Sequence, residues 1–266
     1  MATESYDAIL RTERGHRLRT GGLLVAVTLI ILLAGYYTGL FNAQRLAQGL
    51  PALGQLMANM VPPSFGAWTD WILPLIDTLA MSVAGTAMAV LFSVPLSFAA
   101  ARNTTPNRAM YYASRNLLNL LRTVPELIMG IIFVAAVGFG PLAGVLAVGL
   151  HSIGMVGKFF AETIEHADPA PIEATRATGA GGAQVIWHGI LPQVLPQFLD
   201  VSIYRWEYNF RASTVMGLVG AGGIGFELIG SLRIMDYQEV FAILLVILAT
   251  VIVVDGIGSS LRRRLQ

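Results

Sequence analysis

The chain has 266 residues, 55% hydrophobic and 12% charged, with a formal net charge of +1 and no cysteine. A soluble domain carries about a quarter charged residues, so charge this sparse beside long apolar runs excludes an ordinary water-soluble domain and indicates an integral membrane protein. The absence of cysteine excludes a disulfide framework, a thiolate metal site and a cysteine nucleophile, and His16, His151, His166 and His188 show no ligand spacing, so no metal site is expected.

Residues 1–20 are polar and carry Arg11, Arg14, Arg17 and Arg19. The apolar run over 21–41 has the ~20 residues a membrane helix needs. A basic start followed by an apolar run also suits a signal peptide. The run is long for one, however, and no small-x-small site closes it, so the reading is an uncleaved first span with the basic start in the cytoplasm. Residues 42–70 mix Pro, Gly, Asn and Trp and read as an external loop with a short interfacial helix. Trp68 and Trp71 suit the membrane interface.

A second span is expected over 72–101, interrupted by Pro74 and Pro95, and Arg102, Arg108 and Arg115 follow in an inside loop. A third covers 116–137 and contains Arg122, Pro125 and Glu126. A fourth covers 142–160. A fifth starts near Pro192 and contains Tyr-Arg-Trp-Glu-Tyr-Asn-Phe-Arg over 204–211. A sixth covers 240–257, anchored inside by Arg262, Arg263 and Arg264. Six spans with both ends cytoplasmic satisfy the charge rule, leaving Arg45 and Arg233 as the bases on outer loops. The fold class is all-α integral membrane.

Between the fourth and fifth spans, residues 168–196 form the longest polar-to-mixed passage. Its chemistry predicts a short helix with marked ends. Asp168 suits the N-cap, Pro169 or Pro171 the first turn, Glu173 the positive end of the helix dipole, and Gly179 the stop. A capped helix held between spans on the cytoplasmic side is a handle for something outside the membrane.

Glu126, Arg205, Glu207 and Arg211 are costly, since a charge at bilayer depth costs at least ~2.5–3.5 kcal/mol and so faces a bundle interior or a water-filled path. Counting ~1.5 Å per residue, Glu126 and Arg205 fall near the midplane and Arg211 near the outer surface. Two readings compete. Glu207 and Arg211, like Arg122 and Glu126, are four apart and can pair along one helix face. Arg205 has no such local partner. It either meets an anion in a path or locks to Glu126, and the two states can alternate.

Gly220, Gly222 and Gly225 match the dinucleotide pattern G-x-G-x-x-G, but that motif needs a preceding strand and here follows a membrane helix. Together with Gly223 they read instead as a helix break at a path or gate. No nucleophile with a base, carboxylate pair or phosphate loop emerges, and the single lysine is Lys158. Any nucleotide energy must come from another chain.

The central passage resembles the cytoplasmic loop of ABC importer permeases, whose pattern is EAA, three residues, Gly, nine residues, Ile-x-Leu-Pro. Glu173, Ala174 and Thr175 are followed by Gly179 and by Leu191 and Pro192 at that spacing. Two positions depart: Thr175 replaces the second alanine and Gly189 occupies the isoleucine place. Downstream, residues 204–228 look like the signature of phosphonate-importer permeases, and Arg-Thr-Val-Pro-Glu-Leu-Ile over 122–128 is similar to the same group.

The resemblance implies a type I ABC importer permease fold with six transmembrane helices. Residues 1–70 would form the cytoplasmic N-terminus, first transmembrane helix and external loop, and 71–262 the permease core with its coupling loop at 168–192. It further implies two copies of the chain around a central path, two ABC ATPase subunits that use ATP and Mg, and an extracytoplasmic phosphonate-binding protein, in the plasma membrane of a prokaryote. This chain itself would hold no cofactor and bind no nucleic acid, only membrane lipid. Glu173, Ala174, Thr175, Gly179, Leu191 and Pro192 would couple to the ATPase. Glu126, Arg205, Glu207, Asn209, Arg211, Gly220, Gly222, Gly223 and Gly225 would line the path or gate. The function expected is a non-enzymatic permease importing phosphonate or a related phosphorus oxyanion such as phosphate or phosphite. The alternatives are a permease for another small solute such as methionine, and an intramembrane enzyme using Glu126 with His151 or Glu207.

Overall fold

A computed structural model describes the backbone of residues 2–265 and the side chains of 19–264. The side chains of Arg11, Arg14 and Arg17 lie outside the described residues. The described residues are helical, with no strand among them. The chain divides into two compact units, residues 1–59 and 60–266.

The first unit holds α1 (Ala2–Tyr37) and α2 (Ala43–Asn59). The part of α1 over Arg19–Tyr37 is long and apolar enough to cross a membrane. α2 occupies the segment expected to hold a short interfacial helix, and Pro51 sits inside it.

In the second unit the apolar runs give α3 (Ile72–Ala100), α6 (Pro141–Glu165) and α11 (Tyr237–Leu265), each long enough to span. α3 and α6 run side by side in the same direction. Glycine permits their approach: a Cβ on Gly85 would meet the backbone of Gly149 at 3.4 Å, and one on Gly144 would collide with Met81. Small residues at such a seam let membrane helices pack by dispersion where no hydrophobic driving force operates.

The third span is not one helix. α4 (Arg108–Thr123) ends where Val124 turns extended ahead of Pro125, and α5 (Glu126–Val137) departs at 87°. The residue before a proline is pushed out of the helical region, which is the physical cause of the break. Arg122 and Glu126 therefore do not share a helix face, and Arg122 Nε instead donates to Asn119 Oδ1 at 3.2 Å. The height of Glu126 counted along one straight helix fails for the same reason.

Next come α7 (Pro169–Ala177), α8 (Gly182–Val185), a π-turn over Ile186–Ile190, and α9 (Leu191–Met216). A 3₁₀ turn (Gly217–Val219) and α10 (Ile224–Arg233) complete the fifth span as a pair bent by 44°. Among the described residues, four helices qualify alone, and counting each bent pair as one span gives six. α9 runs antiparallel to α3 and α6, with Phe198 stacked on Phe160 at 3.8 Å between ring centroids. Trp71, expected at the membrane interface, is instead buried with Ile224, Ala242 and Ile243, while Trp68 is exposed.

Candidate functional site

The handle forms as its caps dictate. Asp168 accepts the Ala170 N–H at 2.9 Å, and Gly179 ends the segment at φ +83°. One residue of the helix, Ile172, is buried and joins the core that contains Phe160, Val194 and Phe198. Glu173, Ala174, Arg176 and Ala177 point outward. The handle is tied to the first turn of α9 by Gln193, whose Oε1 accepts the Asp168 N–H at 2.9 Å and whose Nε2 donates to Asp168 O at 3.4 Å. The two departures from the family pattern meet: a Cβ on Gly189 would lie 3.2 Å from Thr175 Oγ1 and 3.3 Å from Ile172 Cα. The wider residue at 175 sits over the position stripped of its side chain. Leu191 and Pro192 open α9.

About 20 Å up α9 from Leu191, by helix rise, the charged passage begins. Arg205, Glu207 and Asn209 are buried. Arg205 Nε donates to Ser152 Oγ at 2.9 Å, Ser152 Oγ donates to Asn209 Oδ1 at 2.8 Å, and Asn209 Nδ2 donates to Thr86 Oγ1 at 2.8 Å. This chain ties α9 to α6 and α3 through polar groups, and a connected network of this kind fixes one arrangement of the helices. The Arg205 guanidinium also lies over the Tyr208 ring, 4.2 Å from its centroid. Tyr208 Oη in turn donates to Glu126 Oε1 at 3.3 Å. Arg205 and Glu126 thus come together around Tyr208 without a direct ion pair, so of the two readings of Arg205 the lock to Glu126 is not formed in this structure.

Glu207 and Arg211 do not pair along the helix. Glu207 Oε1 lies 2.8 Å from Arg262 Nη1, and Arg211 Nη1 meets both oxygens of Asp255 at 3.1 and 3.0 Å. Both partners sit on α11, and a close tertiary carboxylate or guanidinium outcompetes the weak local pairing of ~0.2–0.5 kcal/mol. The sequence reading passed over Asp255 and Arg262 as partners, and over Ser152, Thr86 and Tyr208. Asp255 carried a usable signal, being an acid inside an apolar run; Ser152 and Thr86 carried none.

The glycine passage breaks the helix as expected. Gly220, Gly222 and Gly223 adopt φ of +90°, +75° and +75°. A Cβ on Gly225 would collide with the Thr214 carbonyl, so the start of α10 lies directly against the end of α9. The break is seated on α3 through Thr78 Oγ1, which accepts the Ile224 N–H at 2.9 Å. No group of three or more His, Cys, Asp or Glu side chains able to hold a metal ion occurs among the described residues.

Comparison with known proteins places this architecture. Residues 93–266 match the family described as "Binding-protein-dependent transport system inner membrane component". The chain is 61% identical over 271 residues to the phosphite transport system permease protein PtxC of Stutzerimonas stutzeri, covering 98% of each chain. It is 40% identical over 223 residues to the phosphate-import permease protein PhnE of Mycolicibacterium smegmatis (strain ATCC 700084 / mc(2)155), covering 84% of this chain and 42% of that one. A chain of the inward-facing MetNI methionine ABC transporter superposes with a TM-score of 0.67 at 20% identity, covering 76% of this chain and 99% of that one. The fold is that of a type I ABC importer permease. The protein is a multi-pass transport subunit and not an enzyme, which sets aside the intramembrane-enzyme alternative. The chain belongs to the family of inner-membrane components of binding-protein-dependent transport systems.

Proposed function

We propose that this chain is the membrane permease of an ATP-driven importer that moves phosphite, phosphonate or phosphate into the cytoplasm. The observation that carries the substrate class is the 61% identity over nearly the whole chain to a phosphite permease. The arrangement of the molecule supports the mechanism. An outward-facing capped helix is bonded through Gln193 to the base of α9, and α9 is a continuous helix up to the buried Arg205. A push on Glu173, Ala174, Thr175 or Gly179 is therefore delivered along Leu191 and Pro192 to the polar cluster about 20 Å away.

The importer reading assigns ATP and Mg to two ABC ATPase subunits docked on the handle, and first selection of the ligand to an extracytoplasmic binding protein. Both termini lie in the cytoplasm. A second copy of the permease completes the path. The Arg211–Asp255 pair favours that copy. Asp255 lies within the apolar run of the sixth span, which sets Arg211 at membrane depth and not near the outer surface as counted from Pro192. The side chains are 46% and 44% exposed on a single chain, and charges at that depth are rarely left to lipid. Arg205, Asn209 and Glu126 line the path, Gly220, Gly222, Gly223 and Gly225 form its outer gate, and Glu207 and Arg211 brace it.

A methionine permease is the second reading. Its support is a distant likeness, 24% identity over 204 residues to a probable D-methionine transport system permease protein, well below the 61% to the phosphite permease.

Glu173→Arg tests the coupling. Co-purification with the ATPase subunits and ATP-driven uptake should both be lost, while the permease itself still folds and inserts. Uptake and co-purification unchanged by this reversal of charge would contradict the assignment of the handle.

A further inference from the structure

Among the buried side-chain atoms without a hydrogen-bond partner are Arg205 Nη2 and Glu126 Oε2. One is a donor and the other an acceptor. Both residues are held by their remaining atoms. Arg205 Nε is occupied by Ser152, which is itself fixed by Asn209 and Thr86. Glu126 Oε1 is occupied by Tyr208. The Tyr208 ring, under the guanidinium and bonded to the carboxylate, keeps the two charged groups apart. The two free atoms are themselves enclosed, and the flank of the cluster nearest the surface is formed by Glu126 and Tyr208, which are half-buried, and Tyr204, which is exposed, while Arg205 is only 5% exposed. A charged donor and a charged acceptor, each with a free atom and not paired with one another, are both satisfied by a ligand that supplies the converse pair.

We propose that Arg205 and Glu126 form a subsite for a singly protonated phosphorus oxyanion, with Arg205 Nη2–H donating to an unprotonated P–O oxygen and Glu126 Oε2 accepting the P–OH. This rests on the permease reading above. A fully deprotonated phosphite or phosphonate has no O–H to donate to Glu126 and brings two negative charges against it. The subsite therefore passes the protonated anion and resists the bare dianion. Its charged and titratable surroundings are Tyr204, Arg205 and Tyr208 from α9 and His151 from α6, on which the charges of both Arg205 and Glu126 act. The cation that ends α4, Arg122, is bonded to Asn119 and does not neutralise Glu126 by pairing.

The test is phosphite uptake into proteoliposomes by the permease assembled with its ATPase and binding-protein partners. Initial rates are measured for the wild type and Glu126→Gln at pH values below and above the second ionisation of phosphite. The binding protein is common to both, so its own pH response cancels in the ratio. An amide donates where the carboxylate only accepts, so the variant-to-wild-type ratio should rise at least fivefold from the lower to the higher pH. A ratio that stays constant or falls, with robust wild-type uptake, overturns the subsite. If Glu126→Gln does not assemble, Glu126→Asp carries the test. It should lower the rate yet keep the wild-type pH profile, and a flattened profile would contradict the proposal. Absence of wild-type uptake of any phosphorus oxyanion at every pH instead defeats the permease reading, and the subsite with it.

Discussion

Gly258 on α11 faces Glu207 on α9 so closely that a Cβ at 258 would collide with the Glu207 carboxylate. The same carboxylate oxygen is the one that meets Arg262, one turn further along α11, at 2.8 Å. The missing side chain at 258 is thus the notch into which a buried acid is set, and α11 supplies both the space and the countercharge. Gly258→Ala should displace Glu207 and lower stability by about 1–3 kcal/mol, the range for forcing extra volume into a packed interior. Thermal unfolding of the purified permease checks this, and Gly258→Ala melting with the wild type would mean that Glu207 has room to move aside.

Arg262→Gln removes the countercharge and leaves Glu207 buried. Breaking a buried pair by deleting one partner costs about 3–5 kcal/mol, and the partial exposure of Arg262, 27% for its side chain, places the loss toward the lower end. The double variant Glu207→Gln, Arg262→Gln should recover most of the loss, because no charge is then stranded. A double-mutant cycle on melting temperature gives the coupling. Strictly additive losses would show that the two side chains do not interact.

Thr175 and Gly189 should behave as a pair. Gly189→Val places methyl groups where Thr175 Oγ1 and the Ile172 backbone stand, 3.2 and 3.3 Å from the first added carbon. The handle would be levered off the base of α9, so ATP should be hydrolysed with less uptake per turnover. Gly189→Ala should show a milder form of the same defect, and adding Thr175→Ala should reverse it by clearing the hydroxyl. Simultaneous measurement of phosphate release and uptake reads this, and equal uptake per ATP in Gly189→Val would remove the contact from the coupling route.

What the sequence disclosed divides by distance along the chain. Asp168, Pro169 and Gly179 act within a turn or two, so the handle and its ends were legible from local capping chemistry. The glycines at 220, 222 and 223 need positive φ, which few other residues tolerate, and the break was legible for that reason. The bend ahead of Glu126 was signalled by Pro125, yet the apolar run across it hid a break of 87°. The ion pairs were not legible. Glu207 and Arg211 had a plausible local partner in each other, while their actual partners lie 55 and 44 residues away on α11. Spacing along one helix cannot weigh a tertiary contact of that separation. Arg205 was marked as the residue without a local partner; that Ser152 and Tyr208 would hold it depends on how α6 and α9 pack.

The most direct measurement is ATP-dependent accumulation of labelled phosphite by proteoliposomes that contain the permease, its ATPase subunits and the binding protein. Accumulation should require ATP on the side of the ATPase and should be abolished by Arg205→Ala, while that variant still co-purifies with the ATPase. Accumulation unchanged by Arg205→Ala, or no ATP-dependent accumulation of any phosphorus oxyanion by the intact complex, would contradict the account.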